Sequence, residues 1–191
     1  VRLGQQVFIP QPGKEFDESL LRKHVRVKNR ERGLKPVPGL LWTSSIDNTP
    51  FGSESWMDWC SHEMSSWVGD QAAIFDVKPS AKILHILNER DLEGLDPKYR
   101  LPNEWGDARL DYEAMARDGY DGLHIDPSGA LYTLLYTWDV ESTVWFNTRA
   151  LTLDRVVDVD RQCTFDPDLE MELSTFSLKL AARRVAKRWR A

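Results

Sequence analysis

The feature that most constrains this chain is where helical periodicity gives way to strand-length apolar runs. Helical faces can be set at Trp56–Trp67, in part of Asp17–Arg32 and again after residue 172; from Ala73 to Val159 apolar residues come mostly in short runs. Ala73–Val77 and Lys82–Leu87 flank Lys78-Pro79-Ser80 and predict a strand pair. Leu123–Ile125, Leu131–Tyr136, Val140–Phe146 and Leu151–Val159 predict further strands. Among them only Ala108–Asp118, closed by Gly119, predicts a helix, and Glu89–Gly106, with Pro97 and Pro102, reads as a polar connection. Strands following strands predict an α+β fold rather than alternating βαβ units. No Gly-x-Gly-x-x-Gly follows a strand and no Walker-type loop occurs, which argues against a doubly wound nucleotide fold.

The N-terminal third is punctuated by Pro10, Pro12, Gly13, Gly33, Pro36, Pro38 and Gly39. Gln5–Ile9 reads as a first strand. In Asp17–Arg32 two readings stand: Leu20, Leu21 and His24 share a helical face, while Val25 and Val27 suggest a short strand. Gly39–Ser45 reads as a buried strand entering a polar loop, Asp47–Ser53. Ser55–Asp58 is a capping box, and Trp56, Trp59, Cys60, Met64 and Trp67 behind it fall on one helical face.

At 191 residues, one domain is expected, with residues 1–172 as its body and 173–191 as a basic C-terminal helix or tail. An apolar fraction of 41% supports a core and argues against disorder. No apolar run approaches the ~20 residues of a membrane span. Val1–Pro10 lacks the pattern of a secretory signal, and two cysteines do not make a disulfide scaffold, so a cytoplasmic setting is expected. The net charge of −5 hides an asymmetry: Leu178–Ala191 holds six Lys/Arg and no acid, leaving −11 on the other 177 residues. The bases at 179, 183, 187 and 190 form one helical stripe. It suits nucleic-acid phosphates, another anionic partner, or the acid-rich Asp154–Glu172 of the same chain, and it equally suits a solvated terminus.

Glu141 is the residue to single out. Strand alternation sets Val140, Val144 and Phe146 on one face and Glu141, Thr143 and Trp145 on the other. A carboxylate opening an apolar strand beside Trp138 and Trp145 is costly unless solvated or paired. It is either the acid at the mouth of an aromatic-lined cleft or a solvent-facing residue of an edge strand. The other chemical residues are weaker. Cys60 and His62 lie two apart and Cys163 is remote, so there is no four-ligand zinc spacing and no metal is expected. His62 reads as a surface or packing residue, and Cys60 has no His-Asp pattern of a thiol nucleophile. His124 alternates with apolar neighbours and suits either the same cleft or the core. Tyr120-Asp121-Gly122 is turn chemistry.

In order along the chain, Gly39-Leu40-Leu41-Trp42-Thr43-Ser44, a Trp-rich helix, Tyr120-Asp121-Gly122 and Glu141–Asn147 resemble the ADP-ribosyltransferase superfamily. Lys35–Leu151 also resembles a group of small bacterial and phage proteins with a Lys-Pro-x-Gly-Leu-Trp-x-Ser stretch and a Trp-x-x-Trp-Cys helix. The resemblance implies a split β-sheet α+β fold that clamps NAD. It implies Glu141 as the catalytic carboxylate, with Trp42, Thr43, Ser44 and Ser45 shaping the cofactor pocket. The activity implied is mono-ADP-ribosyl transfer to a protein or nucleic-acid acceptor, or NAD hydrolysis, in a toxin-like cytoplasmic enzyme. A phage-encoded form could be virion-associated, and a degenerate domain of the same fold could serve as a binding or structural module. The first strand departs from the family in carrying no Arg or His, so Gln6 is the residue expected to contact the NAD ribose or phosphate there; His24 or Arg26 takes that place if the strand lies later. Asp139 stands where the family often has Gln or Glu.

Overall fold

The computed structural model describes residues 2–22, 25–30, 35–36, 39–46, 56, 59–60, 63, 66, 68–102, 108–135, 137–166 and 171–178, without the side chains of 160–178. The fold is α+β, built on an eight-stranded mixed sheet with short helices. The strands are β1 (Gln6–Phe8), β2 (Leu41–Ser45), β3 (Gln71–Val77), β4 (Ile83–Ile86), β5 (Gly122–Ile125), β6 (Ser142–Trp145), β7 (Leu151–Asp166) and β8 (Met171–Leu178). Their order across the sheet is β4-β5-β6-β2-β1-β3-β7-β8. Only β4 and β5 run parallel; the remaining neighbours are antiparallel.

Three short helices cover one face: α1 (Glu89–Glu93), α2 (Tyr112–Arg117) and α3 (Leu131–Leu134). Asn88 caps α1 and Asp111 caps α2 through side-chain bonds to backbone N–H groups. Gly119, at φ 80°, follows α2 in the left-handed region that stops a helix. Leu92, Met115 and Leu131 from these helices pack with Ile86, Leu123, Ile125, Val144 and Phe146 of the sheet. On the opposite face Leu41, Ala73, Phe75 and Trp145 form a second cluster. The alternation expected along Val140–Phe146 therefore holds, with Val144 and Trp145 in different clusters.

Several expectations are corrected. Ala73–Val77 and Lys82–Leu87 both form strands, but they are not partners: β3 lies between β1 and β7, while β4 is the edge beyond β5. The Lys78-Pro79-Ser80 stretch leads out of one half of the sheet into the other. Leu131–Tyr136 is not a strand; α3 occupies Leu131–Leu134, because Leu131 and Leu135 lie four apart and fill one core. Glu89–Gly106 is more than a connection, since it contains α1 and a 3-10 turn, Pro97–Tyr99. Among the described residues of Asp17–Arg32, the expected helix is a 3-10 turn at Glu18–Leu21 begun by Asp17, whose carboxylate accepts from the Ser19 N–H. Trp56, Trp59 and Cys60 are helical, while Ser55, Asp58, Met64 and Trp67 lie outside the described residues. At the C-terminus, β8 replaces the start of the expected helix at Leu173 and runs across position 172; the basic stretch 179–191 lies outside the described residues. Among the described residues no helix is long and apolar enough to cross a membrane.

Candidate active site around Glu141

A row of polar side chains crosses the middle of the sheet. Pairing sets His85 beside His124, His124 beside Thr143, Thr143 beside Thr43, and Gln6 beside Ser45. Two residues beyond the Thr43–Thr143 pair, continuing the antiparallel register brings Ser45 opposite Glu141. Gln6, Thr43, Ser44, His124, Thr143 and Glu141 are all buried. Burying that many polar groups is tolerable only if they satisfy one another.

They do so in a chain whose direction can be read. Trp145 Nε1–H, a donor only, gives a 2.8 Å bond to Thr43 Oγ1. Thr43 then passes its one proton on to Gln6 Oε1 at 2.8 Å. Thr143 Oγ1 donates to the same oxygen at 3.1 Å. With that proton committed, the 2.9 Å contact of Thr143 Oγ1 to His124 Nδ1 requires the proton to sit on the imidazole. Gln6 Nε2 turns the other way and donates to Ser45 Oγ at 3.1 Å.

The network ends on Glu141. Oε2 accepts from Ser44 Oγ at 2.6 Å and from the Ser45 backbone N–H at 2.8 Å. Oε1 accepts from Ser45 Oγ at 3.0 Å and faces His124 Nδ1 at 3.3 Å. The Trp56 N–H donates to Ser44 Oγ at 3.0 Å, which leaves the Ser44 proton for the carboxylate. Three donors meet an acceptor with about four lone-pair sites, the arrangement suited to an ionised carboxylate. Burial pushes the Glu141 carboxyl above its ordinary value; Ser44 and Ser45 pull it back, and Asp126 adds a smaller upward push. Burial, with the neighbouring His85, drives His124 down to about 3. His124 is therefore neutral near pH 7, so its 3.3 Å approach to Glu141 is not an ion pair, and its Nδ1 proton is directed to Thr143 Oγ1.

Trp42, Thr43 and Ser44 line a cavity of about 250 Å³. Val7, Phe8, Ile9, Lys35, Trp56, Asp139, Val140 and Ser142 line the rest of it. Trp42 sits 4.8 Å, ring to ring, from buried Trp138, so it belongs to the core while showing an edge to the cavity. Lys35 Nζ lies 5.5 Å over the Trp42 ring and 3.8 Å from Asp139. Trp56 and Trp59 stack at 5.3 Å. Cys60 is buried, and burial pushes its thiol up to about 12, which makes it inert.

Glu141, Ser44, Ser45, Thr43 and Gln6 thus belong to one network, and Trp42 lies on the cavity beside it. Glu141 has none of its surface exposed, so the edge-strand alternative fails. Gln6 is likewise wholly enclosed, with both amide ends engaged within the protein. Sequence reasoning left His124 undecided and passed over Thr143 as a polar site residue. All four residues of β5 are buried, so alternation carried no sign of a polar role for His124; only strand register brings it to Glu141. Among the described residues no cluster of His, Cys, Asp or Glu suits a metal ion. Of the alternative first-strand cations, Arg26 is exposed in an irregular stretch, and His24 and His62 lie outside the described residues. Comparison of the chain with protein-family models, with curated proteins and with solved structures finds no match.

Proposed function

We propose that this protein is an NAD-dependent mono-ADP-ribosyltransferase, or an NAD glycohydrolase where water is the acceptor, with Glu141 as its catalytic carboxylate. The observation that carries the reading is the convergence of Ser44 Oγ, Ser45 Oγ and the Ser45 N–H on Glu141 at 2.6–3.0 Å, beside a cavity edged by Trp42. Departure of nicotinamide leaves positive charge at the ribose anomeric carbon. A carboxylate fixed beforehand by several donors offers negative charge there without reorganising. The same group orients or deprotonates the acceptor. The cavity of about 250 Å³ falls just under the ~300–1,000 Å³ of drug-sized ligand sites. It suits the nicotinamide-ribose end, with Trp42 available to stack on the ring.

Full burial of Glu141 favours a second reading: a domain of the same sheet architecture whose acid only ties strands together, serving as a binding or structural module. Purified protein incubated with NAD separates the two. Release of nicotinamide, lost in Glu141→Gln at retained folding, supports the enzyme. Absence of turnover together with no NAD-induced rise in melting temperature supports the module.

A further inference from the structure

A second cavity, of about 770 Å³, opens beyond the far end of β6. Glu141 immediately precedes that strand, while Phe146 and Asn147, which line the cavity, follow it, about 17 Å away along an extended chain. Arg22, Arg26, Arg117 and Arg149 all line it, and all four are exposed. They come from three parts of the fold: the N-terminal segment after the 3-10 turn, the last residue of α2, and the 3-10 turn Thr148–Ala150. Two of those walls are tied together, since Thr148 Oγ1 donates to the Leu21 carbonyl at 2.8 Å.

The two acids among the described lining residues accept hydrogen bonds from neutral N–H groups. Glu113 accepts from the Asn29 N–H at 2.9 Å. Asp121 accepts from the Lys82 N–H at 2.8 Å and from Asn147 Nδ2 at 2.6 Å. Among the described residues, none of the four guanidinium groups has a carboxylate within ion-pair distance. A chain with a net charge of −5 thus gathers four arginines around one cavity, against two carboxylates, Glu113 and Asp121, among its described lining residues. Mutual repulsion disfavours such a grouping unless an anion joins it. Arginine rather than lysine favours phosphate, whose oxygens fit the planar fork in pairs. Cations on three separate walls suit several phosphates in succession better than one, and half-buried Tyr120 lies among them.

We propose that this cavity binds a segment of single-stranded nucleic acid, the four arginines tracking its phosphates. The site lies apart from Glu141 and does not rest on the NAD reading. The test is fluorescence anisotropy of a labelled 12-nucleotide single strand, titrated with the full chain from 50 to 300 mM salt. The comparison is with the fourfold variant Arg22→Gln, Arg26→Gln, Arg117→Gln, Arg149→Gln. Each phosphate left without its arginine lowers the salt slope by about 0.7, so the variant's slope falls by roughly 3, with at least about tenfold weaker binding at low salt. Because the side chains are exposed, its melting temperature stays at the wild-type value, and any binding it retains belongs to the basic stretch 179–191. Wild-type affinity and slope in the variant would overturn the proposal. So would no binding by the wild type at 50 mM salt, or equally tight binding of a 12-residue oligoglutamate.

Discussion

Glu141 sits where charge is both expensive and well supplied. Removing its surroundings from water raises the cost of ionisation, while Ser44 and Ser45 offer it three donors. Replacing it with Gln turns an amide N–H₂ toward groups that now donate to the carboxylate, so Glu141→Gln should cost about 1–3 kcal/mol of stability in urea unfolding. That loss must be measured before absent turnover is assigned to chemistry. His124 sets the response to acid. Its ordinary value of 6.5 falls to about 3 in the folded protein, so between these limits the unfolded chain takes up a proton that the folded chain refuses. Stability is therefore intact above pH 6.5 and falls as the pH drops toward 3, by up to about 1.4 kcal/mol per pH unit. His85, lowered by burial, acts in the same direction. Glu141, raised by burial, acts in the opposite one, losing stability as the pH climbs from its ordinary value toward its folded one. In denaturation followed from pH 7 to 4, His124→Asn should flatten the acid-induced loss; an unchanged slope would show that the imidazole is not held neutral.

At the level of elements, the site depends on how closely β5, β6 and β2 approach. Gly122 opens β5 opposite Trp145, and a Cβ there would meet the Val144 carbonyl oxygen at 2.9 Å and Trp145 at 3.4 Å. Backbone cannot yield as a side-chain tip can. Gly122→Ala should therefore separate β5 from β6 at a cost of about 1–3 kcal/mol. Since His124 is only two residues on, the same change should alter its imidazole resonances, a readout that a purely local packing defect would leave unmoved. The Tyr120-Asp121-Gly122 turn is more than loop chemistry for the same reason. The Asp121 carbonyl accepts from the N–H groups of Phe146 and Asn147, and its carboxylate accepts from Lys82 and Asn147. The turn thereby holds the ends of β4, β5 and β6 together.

Across the whole molecule, neighbours in the sheet are distant in sequence. β2 pairs with β6 and β3 with β7, so the centre cannot form until residues some 80 to 100 apart have met. Closing such loops before their contacts form is slow, and refolding should occur in milliseconds to seconds rather than microseconds. Trp138 and Trp145, both buried, supply the stopped-flow fluorescence signal. The corrections to the expected strands share this origin. Ala73–Val77 and Lys82–Leu87 are neighbours in sequence with a Pro between them, yet β1 and β7 are better partners for β3, and β5 takes β4. Leu131–Tyr136 has the composition of a strand, but a core on a single side rewards the four-residue spacing of Leu131 and Leu135.

Sequence alone was enough for the α+β class, the alternation of Val140–Phe146, the end of α2 at Gly119 and the choice of Glu141 with Thr43–Ser45, because each depends on local periodicity, a turn residue or one charge out of place in an apolar run. Strand order, the switch of Leu131–Leu134 to helix, the entry of His124 and Thr143 into the Glu141 network and the gathering of four arginines were decided by tertiary structure. Those depend on which distant segments share a sheet or a wall, and pairing across the chain is set by burial and hydrogen-bond satisfaction that no local window contains.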